Sequence, residues 1–183
     1  IKYLKTLEAT KSIFLVTNGQ EPDMIQKLQD EDALPTQLYL STNAADYESF
    51  LKINKPKYDD SWERWNRTLD MLKDLDTRTV LRITLIRNYN DQKEMIPAFA
   101  EMFRKASPHF IEIKSYMHIG RSTNRLEHEN MLEMSEVKKF SEQIAKESKI
   151  FSIMDESIVS RISILQNNER FIDRWIPTYS NTN

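Results

Sequence analysis

The sequence predicts an α/β protein built on parallel strands, and three observations carry that expectation. Four short apolar runs, at residues 13–17, 37–42, 80–86 and 110–115, alternate with segments long enough to hold helices. Connections of that length imply parallel strands joined by right-handed crossovers. Three of the four runs place apolar residues on one face and polar residues on the other, as half-covered strands do. The 183 residues suit a single domain, 1–183, with a core of its own. On pattern alone an open sheet and a barrel both fit.

IKYLKTLEATK, residues 1–11, reads as part of an amphipathic helix. SIFLVTNG follows, and its apolar run has the look of a buried parallel strand ending in a polar turn. A helix is expected over 22–29, with Pro22 in its first turn. After the second strand come a short helix at 45–53, a Lys55-Pro56 break and a long helix at 61–75. Asp60 and Glu63 are spaced like an acidic capping pair there, and Trp62, Trp65, Leu69 and Leu72 form one stripe that reads as core. After the third strand, Asp91 and Glu94 signal a helix over 92–105, which Pro97 bends or delays. The fourth strand, FIEIKS, leads into a carboxyl-terminal extension at 127–183, with a helix at 135–147, short strands at 150–154 and 161–165, and a frayed tail at 178–183.

Splitting the strands by face sets Leu38 and Leu40 against Tyr39, Ser41 and Asn43. It sets Leu81, Ile83 and Leu85 against Arg82, Thr84 and Ile86, and Ile111 and Ile113 against Glu112, Lys114 and Tyr116. The apolar faces belong under helices, so the polar faces line a shared interior. Buried unpaired charge costs several kcal/mol, so Arg82, Glu112 and Lys114 must pair with one another or with a ligand. The strand-end loops TNG, STNA, IRNYND and KSYMHIGRSTNR are rich in hydroxyl, amide and cationic groups, which suit a carboxylate, a ribose or a phosphate.

Composition excludes several chemistries. There is no cysteine, so this chain alone supplies no thiolate for an iron–sulfur cluster or zinc and no thiol nucleophile. His109, His118 and His128 lack a metal-binding spacing, and no metal ligand is assigned. Gly19 and Gly120 are the only glycines, too few for a Walker or dinucleotide-binding loop. A net charge of -2 leaves RNA binding to a local basic patch. No apolar run spans a membrane and no signal-peptide pattern opens the chain, so a cytoplasmic protein is expected.

FLVTNG, PTQLYLSTNA, the WERW helix followed by TRTVLRITLIRNYND, and FIEIKSYMHIGRSTNRL occur in an order and spacing that resemble the tRNA 4-demethylwyosine synthases, the archaeal form above all. The resemblance covers about residues 12–166. These are radical S-adenosylmethionine enzymes of wybutosine biosynthesis. The resemblance implies a partial (β/α)6 barrel, here lacking its first two strands, in which a [4Fe-4S] cluster cleaves S-adenosylmethionine. The radical so formed starts condensation of N1-methylguanosine in phenylalanine tRNA with a two-carbon unit from pyruvate, at the expense of a reductant. It further implies that Thr17, Asn18, Ser41, Asn43 and Arg82 contact S-adenosylmethionine. Lys114, Tyr116 and His118 would stand where the substrates meet, and Arg121, Ser122 and Arg125 would face tRNA phosphates.

The family's cluster cysteines, its Gly-Glu-Pro motif and the lysine assigned to pyruvate all correspond to positions before Ile1. The resemblance therefore makes this chain a carboxyl-terminal portion, truncated, proteolysed or split, inactive by itself and completed in the last case by a separate chain. Two other readings of the residues stand beside it. One is a metal-free, aldolase-like lyase using Lys114 as a Schiff-base nucleophile with Glu112 and Tyr116 moving protons. The other is a non-catalytic tRNA-binding fragment.

Overall fold

The computed structural model describes residues 1–176; the tail expected to fray, 178–183, lies outside them. Strands β1 (Phe14–Thr17), β2 (Gln37–Ser41), β3 (Arg78–Leu85) and β4 (Phe110–Ser115) are parallel neighbours in that order. β6 (Ile162–Asn167) pairs antiparallel with β4, and β5 (Phe151–Ser157) with β6, giving one six-stranded mixed sheet. The helices are α1 (Lys2–Lys5), α2 (Pro22–Asp30), α3 (Tyr47–Asn54), α4 (Ser61–Met71), α5 (Ile96–Ala106) and α6 (Met134–Ser148). Among the described residues no helix is long and apolar enough to cross a membrane.

Register fixes the faces. Leu38, Leu40, Leu81, Ile83, Leu85, Ile111, Ile113 and Leu165 are all fully buried and join one core with Trp65 and Leu69 of α4, Phe99 and Phe103 of α5, and Phe140 of α6. Each such aliphatic side chain contributes about 1.5–3 kcal/mol by leaving water. On the opposite face Ser41, Arg82 and Glu112 form one cross-strand row, and Thr84 and Lys114 form the next row toward the carboxyl ends. The sequence expectation of one apolar and one polar face is met on β2, β3 and β4.

Three local expectations are corrected and a fourth, the delay of α5 by Pro97, is met. The first helix covers only Lys2–Lys5 and buries none of its residues, because it has no core to press against. β1 is not a buried strand: Phe14 is 50% and Val16 51% exposed, since β1 pairs on one side only and both residues sit on the open face. The Asp60 carboxylate does not cap α4 but bonds Arg64 of the next turn, and α4 ends at Met71. Pro97 delays α5, whose entry is a 3-10 turn at Lys93–Met95. The expected strands at 150–154 and 161–165 are present and longer, as β5 and β6.

Candidate functional site at the carboxyl ends of the strands

The loop after β1 is shaped by its glycine. Gly19 has φ +76, and a Cβ there would stand 2.7 Å from Leu40 Cδ1 and 3.0 Å from Trp65 Cδ1. The backbone therefore comes closer to β2 and α4 than any L side chain permits. Thr68 Oγ1 donates to the Gly19 carbonyl at 2.8 Å and fixes the approach. Thr17 Oγ1 accepts from the Gly19 N–H, and Asn18 Oδ1 from the Gln20 N–H, so both side chains shape the turn. Gln20 Nε2 donates to the Ser61 carbonyl, while its Oε1 is buried without a partner among the described residues.

Beyond β2, the Trp65 indole N–H donates to the Ser41 carbonyl at 3.1 Å. Asn43 Oδ1 accepts from the Thr84 N–H at 2.9 Å, tying the ends of β2 and β3. The wholly buried Asn90 tightens this joint: its Nδ2 donates to the Asn43 and Thr84 carbonyls and its Oδ1 accepts from Ile86 N–H. Asn18, Gln20, Ser41, Asn43, Asn54 and Lys55 share the wall of one cavity of about 490 Å³, with Phe50 among its apolar residues. That size is in the range of small-molecule sites. A larger cavity of about 1140 Å³ lies at the amino ends of the strands, lined in part by Thr36, Arg78 and Trp175. Ligands of parallel α/β folds bind at the carboxyl ends, and the loops singled out in the sequence converge there.

On the open face Arg82 and Glu112 pair with each other. Arg82 Nε donates to Glu112 Oε1 at 2.7 Å, and the guanidinium lies 4.3 Å from the Tyr39 ring centre. Burial, then the Glu112 charge, push the Tyr39 phenol up. Lys114, half-buried one row closer to the mouth, has no side-chain hydrogen bond or ion pair among the described residues. The charges thus resolve into one pair and one unpaired ammonium.

Tyr116 is buried against Ile86 and Leu126, and its hydroxyl shares a 3.2 Å hydrogen bond with His118 Nδ1. His128 stands edge-on to His118 at 6.2 Å, and the His118 N–H donates to Met131 Sδ. Arg121 and Ser122 lie on an exposed 3-10 turn, Gly120–Asn124, that Arg125 ends; neither arginine has a carboxylate partner among the described residues. Of the sequence-derived residues, Asn18, Ser41 and Asn43 meet in one cavity, and Tyr116 meets His118. Thr17 and Arg82 stand outside that cavity. Gln20, Asn90 and His128 were not singled out; Asn90 lies inside the loop IRNYND and Gln20 directly follows the loop TNG, which was the available signal.

Fold and site together define an α/β protein with a polar cavity at the carboxyl ends of its parallel strands. Residues 105–167 match the family described as wyosine base formation. The chain is 42% identical to the S-adenosyl-L-methionine-dependent tRNA 4-demethylwyosine synthase of Methanocaldococcus jannaschii, covering 87% of this chain and 48% of that one. It is 38% identical to the Pyrococcus abyssi protein of the same name, over 85% and 45%. A solved structure of TYW1 with a lysine-pyruvate adduct bound superposes with TM-score 0.75 at 41% identity, over 87% of this chain and 48% of that one. A crystal structure of archaeal TYW1 gives 0.69 at 36%. The chain is thus homologous to the carboxyl-terminal part of the tRNA 4-demethylwyosine synthases, and spans about half the length of these archaeal relatives.

Proposed function

We propose that this chain is the part of a radical S-adenosylmethionine 4-demethylwyosine synthase that holds S-adenosylmethionine on one side of the strand ends and meets tRNA on the other. The observation that carries this reading is the convergence of Asn18, Ser41 and Asn43, from two successive strand ends, on one cavity with an unsatisfied acceptor at Gln20. Amide and hydroxyl groups of that kind suit the ribose and amino-acid portions of the cofactor, which supplies the radical when bound. Arg82, already neutralised by Glu112, serves by keeping the row beneath the site rigid. Lys114 offers an unpaired positive charge to a carboxylate such as that of pyruvate, and the Tyr116–His118 pair can hold or pass a proton beside it. Arg121, Ser122 and Arg125 face RNA phosphates.

A [4Fe-4S] cluster does not fit this chain, which has no cysteine and, among the described residues, no metal-binding group of acidic and histidine side chains. Its ligands belong to another part of the enzyme. The sheet would continue past the exposed edge of β1 into a partial (β/α)6 barrel, supplied by the same or a separate chain.

Incubation of the native protein with S-adenosylmethionine, pyruvate, reductant and tRNA bearing N1-methylguanosine tests the reading. Mass spectrometry of digested tRNA should show the tricyclic nucleoside, with none from residues 1–183 alone; absence of product from the native protein overturns the reading. Lys114 is also the best-placed Schiff-base lysine of this chain. Borohydride trapping with pyruvate followed by peptide mapping decides that second reading, and an unlabelled Lys114 rejects it.

A further inference from the structure

The arginines expected to face tRNA lie on one side of the mouth, and a second set of free cations lies at the carboxyl end of α3. Lys52, Lys55 and Lys57 are exposed, and none has a carboxylate within ion-pair distance among the described residues. Lys27, Lys105, Lys138, Arg64 and Arg67 are each paired, whereas Lys73, Lys139 and Lys146 are also exposed without an ion pair among the described residues; the α3 set stands out by placing three such lysines within six positions. Asp60, at the start of α4, is taken by Arg64 at 2.8 Å, so residues 47–59 set Lys52, Lys55 and Lys57 against Glu48 and Asp59, a small excess of positive charge.

The same corner presents an aromatic ring. Lys52 Nζ stands 5.0 Å from the centre of the half-buried Tyr89 ring. Tyr89 packs with Ile53 and Met131 against a small apolar cluster. Its loop is held by the buried Asn90 and by the Arg87 pairing with Glu136, so the ring is fixed before any ligand arrives. Met131 in turn touches His118, whose ring faces His128. Contacts thus run from Lys52 through Tyr89 and the Met131 cluster to His118, two residues before the 3-10 turn Gly120–Asn124. Basic groups beside a partly exposed ring suit unstacked single-stranded RNA, with phosphates on the cations and a base against the ring.

We propose that Lys52, Lys55 and Lys57 form a second RNA-backbone contact, opposite Arg121 and Arg125, and that Tyr89 supports an unpaired nucleotide between them. This inference rests on the reading that the protein acts on tRNA. The ligand class is an RNA loop and not a duplex, because a ring platform gains nothing from bases already stacked in pairs.

The test is fluorescence anisotropy of the native protein with a labelled anticodon stem-loop and a labelled RNA duplex, over a range of KCl concentrations. The triple variant K52A/K55A/K57A should bind the stem-loop about tenfold more weakly near 0.1 M salt, and its log–log salt slope should fall by about 2. Tyr89→Ala should weaken stem-loop binding by about tenfold and leave the duplex unchanged. Unaltered urea midpoints certify folding, and Lys→Gln versions of the same three positions provide a second set. If the lysine variants keep wild-type affinity and slope while R121A/R125A loses both, this proposal fails and the tRNA reading survives. If wild-type protein binds no stem-loop at low salt, both fail. Lys55 and Lys57 also line the cavity assigned to S-adenosylmethionine, so loss of S-adenosylmethionine affinity with unchanged RNA affinity in the lysine variants assigns them to that cavity and overturns the proposal.

Discussion

Replacing Glu112 by Gln should destabilise the protein by about 2–3 kcal/mol, and the figure follows from where the pair sits. Glu112 is 8% exposed on the central strand β4, and both of its oxygens face Arg82, at 2.7 and 3.4 Å. Removing one member of a fully buried pair costs about 3–5 kcal/mol, because the survivor is left charged and dry. The Arg82 side chain is 28% exposed and stacked on Tyr39, so it recovers part of its hydration and the loss falls below that range. Arg82→Met should cost more, about 3–4 kcal/mol, because the stranded carboxylate is the less accessible member. The double replacement R82M/E112L leaves no stranded charge and should lose much less than the two single losses together. Urea denaturation at pH 7 followed by circular dichroism measures all three, and a coupling of about 2 kcal/mol is expected. A coupling under about 0.5 kcal/mol, with the single losses simply adding, would show that the two groups are not a unit and refute the argument.

Three further outcomes are expected. Gly19→Ala combines a left-handed backbone costing about 1–2 kcal/mol with a Cβ that collides with Leu40 and Trp65. The midpoint of thermal unfolding should fall by roughly 5–15 °C, and an unchanged midpoint would mean that the loop is not held against α4. Burial, reinforced by Arg170 and Arg78, pulls the His109 imidazole down to about 4, while its Nδ1 accepts from the Thr79 N–H. The folded value is depressed, so this stability is present above the unfolded value of about 6.5 and is lost as pH falls toward 4, amounting to roughly 1–2 kcal/mol after solvent screening. Histidine 109 replaced by glutamine (H109Q) should flatten that part of the stability–pH curve; parallel curves for the two proteins would count against the assignment. Lys114→Met removes a charge that has no partner, so denaturation should register a change under about 1 kcal/mol; a loss above 2 would reveal a structural role.

How much of this was legible in the sequence depends on range. Strict alternation in β2, β3 and β4 gives each side chain its face, because period 2 admits one assignment when the apolar half is uninterrupted. β1 has no such alternation: Ile13, Phe14, Leu15 and Val16 are equally consistent with a buried strand and with an edge, and only the sheet order decides. That Asn18, Ser41 and Asn43 lie at strand ends could be read because strand ends are local features. That Asn43 is tied by Thr84 and Asn90, residues more than forty positions away, could not. The same holds for the division of charge: Arg82, Glu112 and Lys114 are equivalent in a face diagram, and only register puts Arg82 opposite Glu112 and Lys114 opposite Thr84. His128 escaped notice because its contact with His118 depends on the fold of the intervening loop.

That division of charge also orders the site. Along the open face, the row Ser41–Arg82–Glu112 lies deeper, and its opposite charges are satisfied within the protein. The next row outward, Thr84–Lys114, carries a cation with nothing to neutralise it among the described residues. An anionic ligand entering from the mouth therefore meets Lys114 first, whereas reaching Arg82 would require it to displace Glu112 from a bond of 2.7 Å in a poorly hydrated setting. The two residues should separate experimentally. Lys114→Met should leave the denaturation midpoint nearly unchanged and weaken carboxylate binding, and Arg82→Met should lower the midpoint with little direct effect on the carboxylate. If pyruvate affinity in the native protein instead falls with Arg82→Met and is untouched by Lys114→Met, the deeper row is the ligand row and this ordering is wrong.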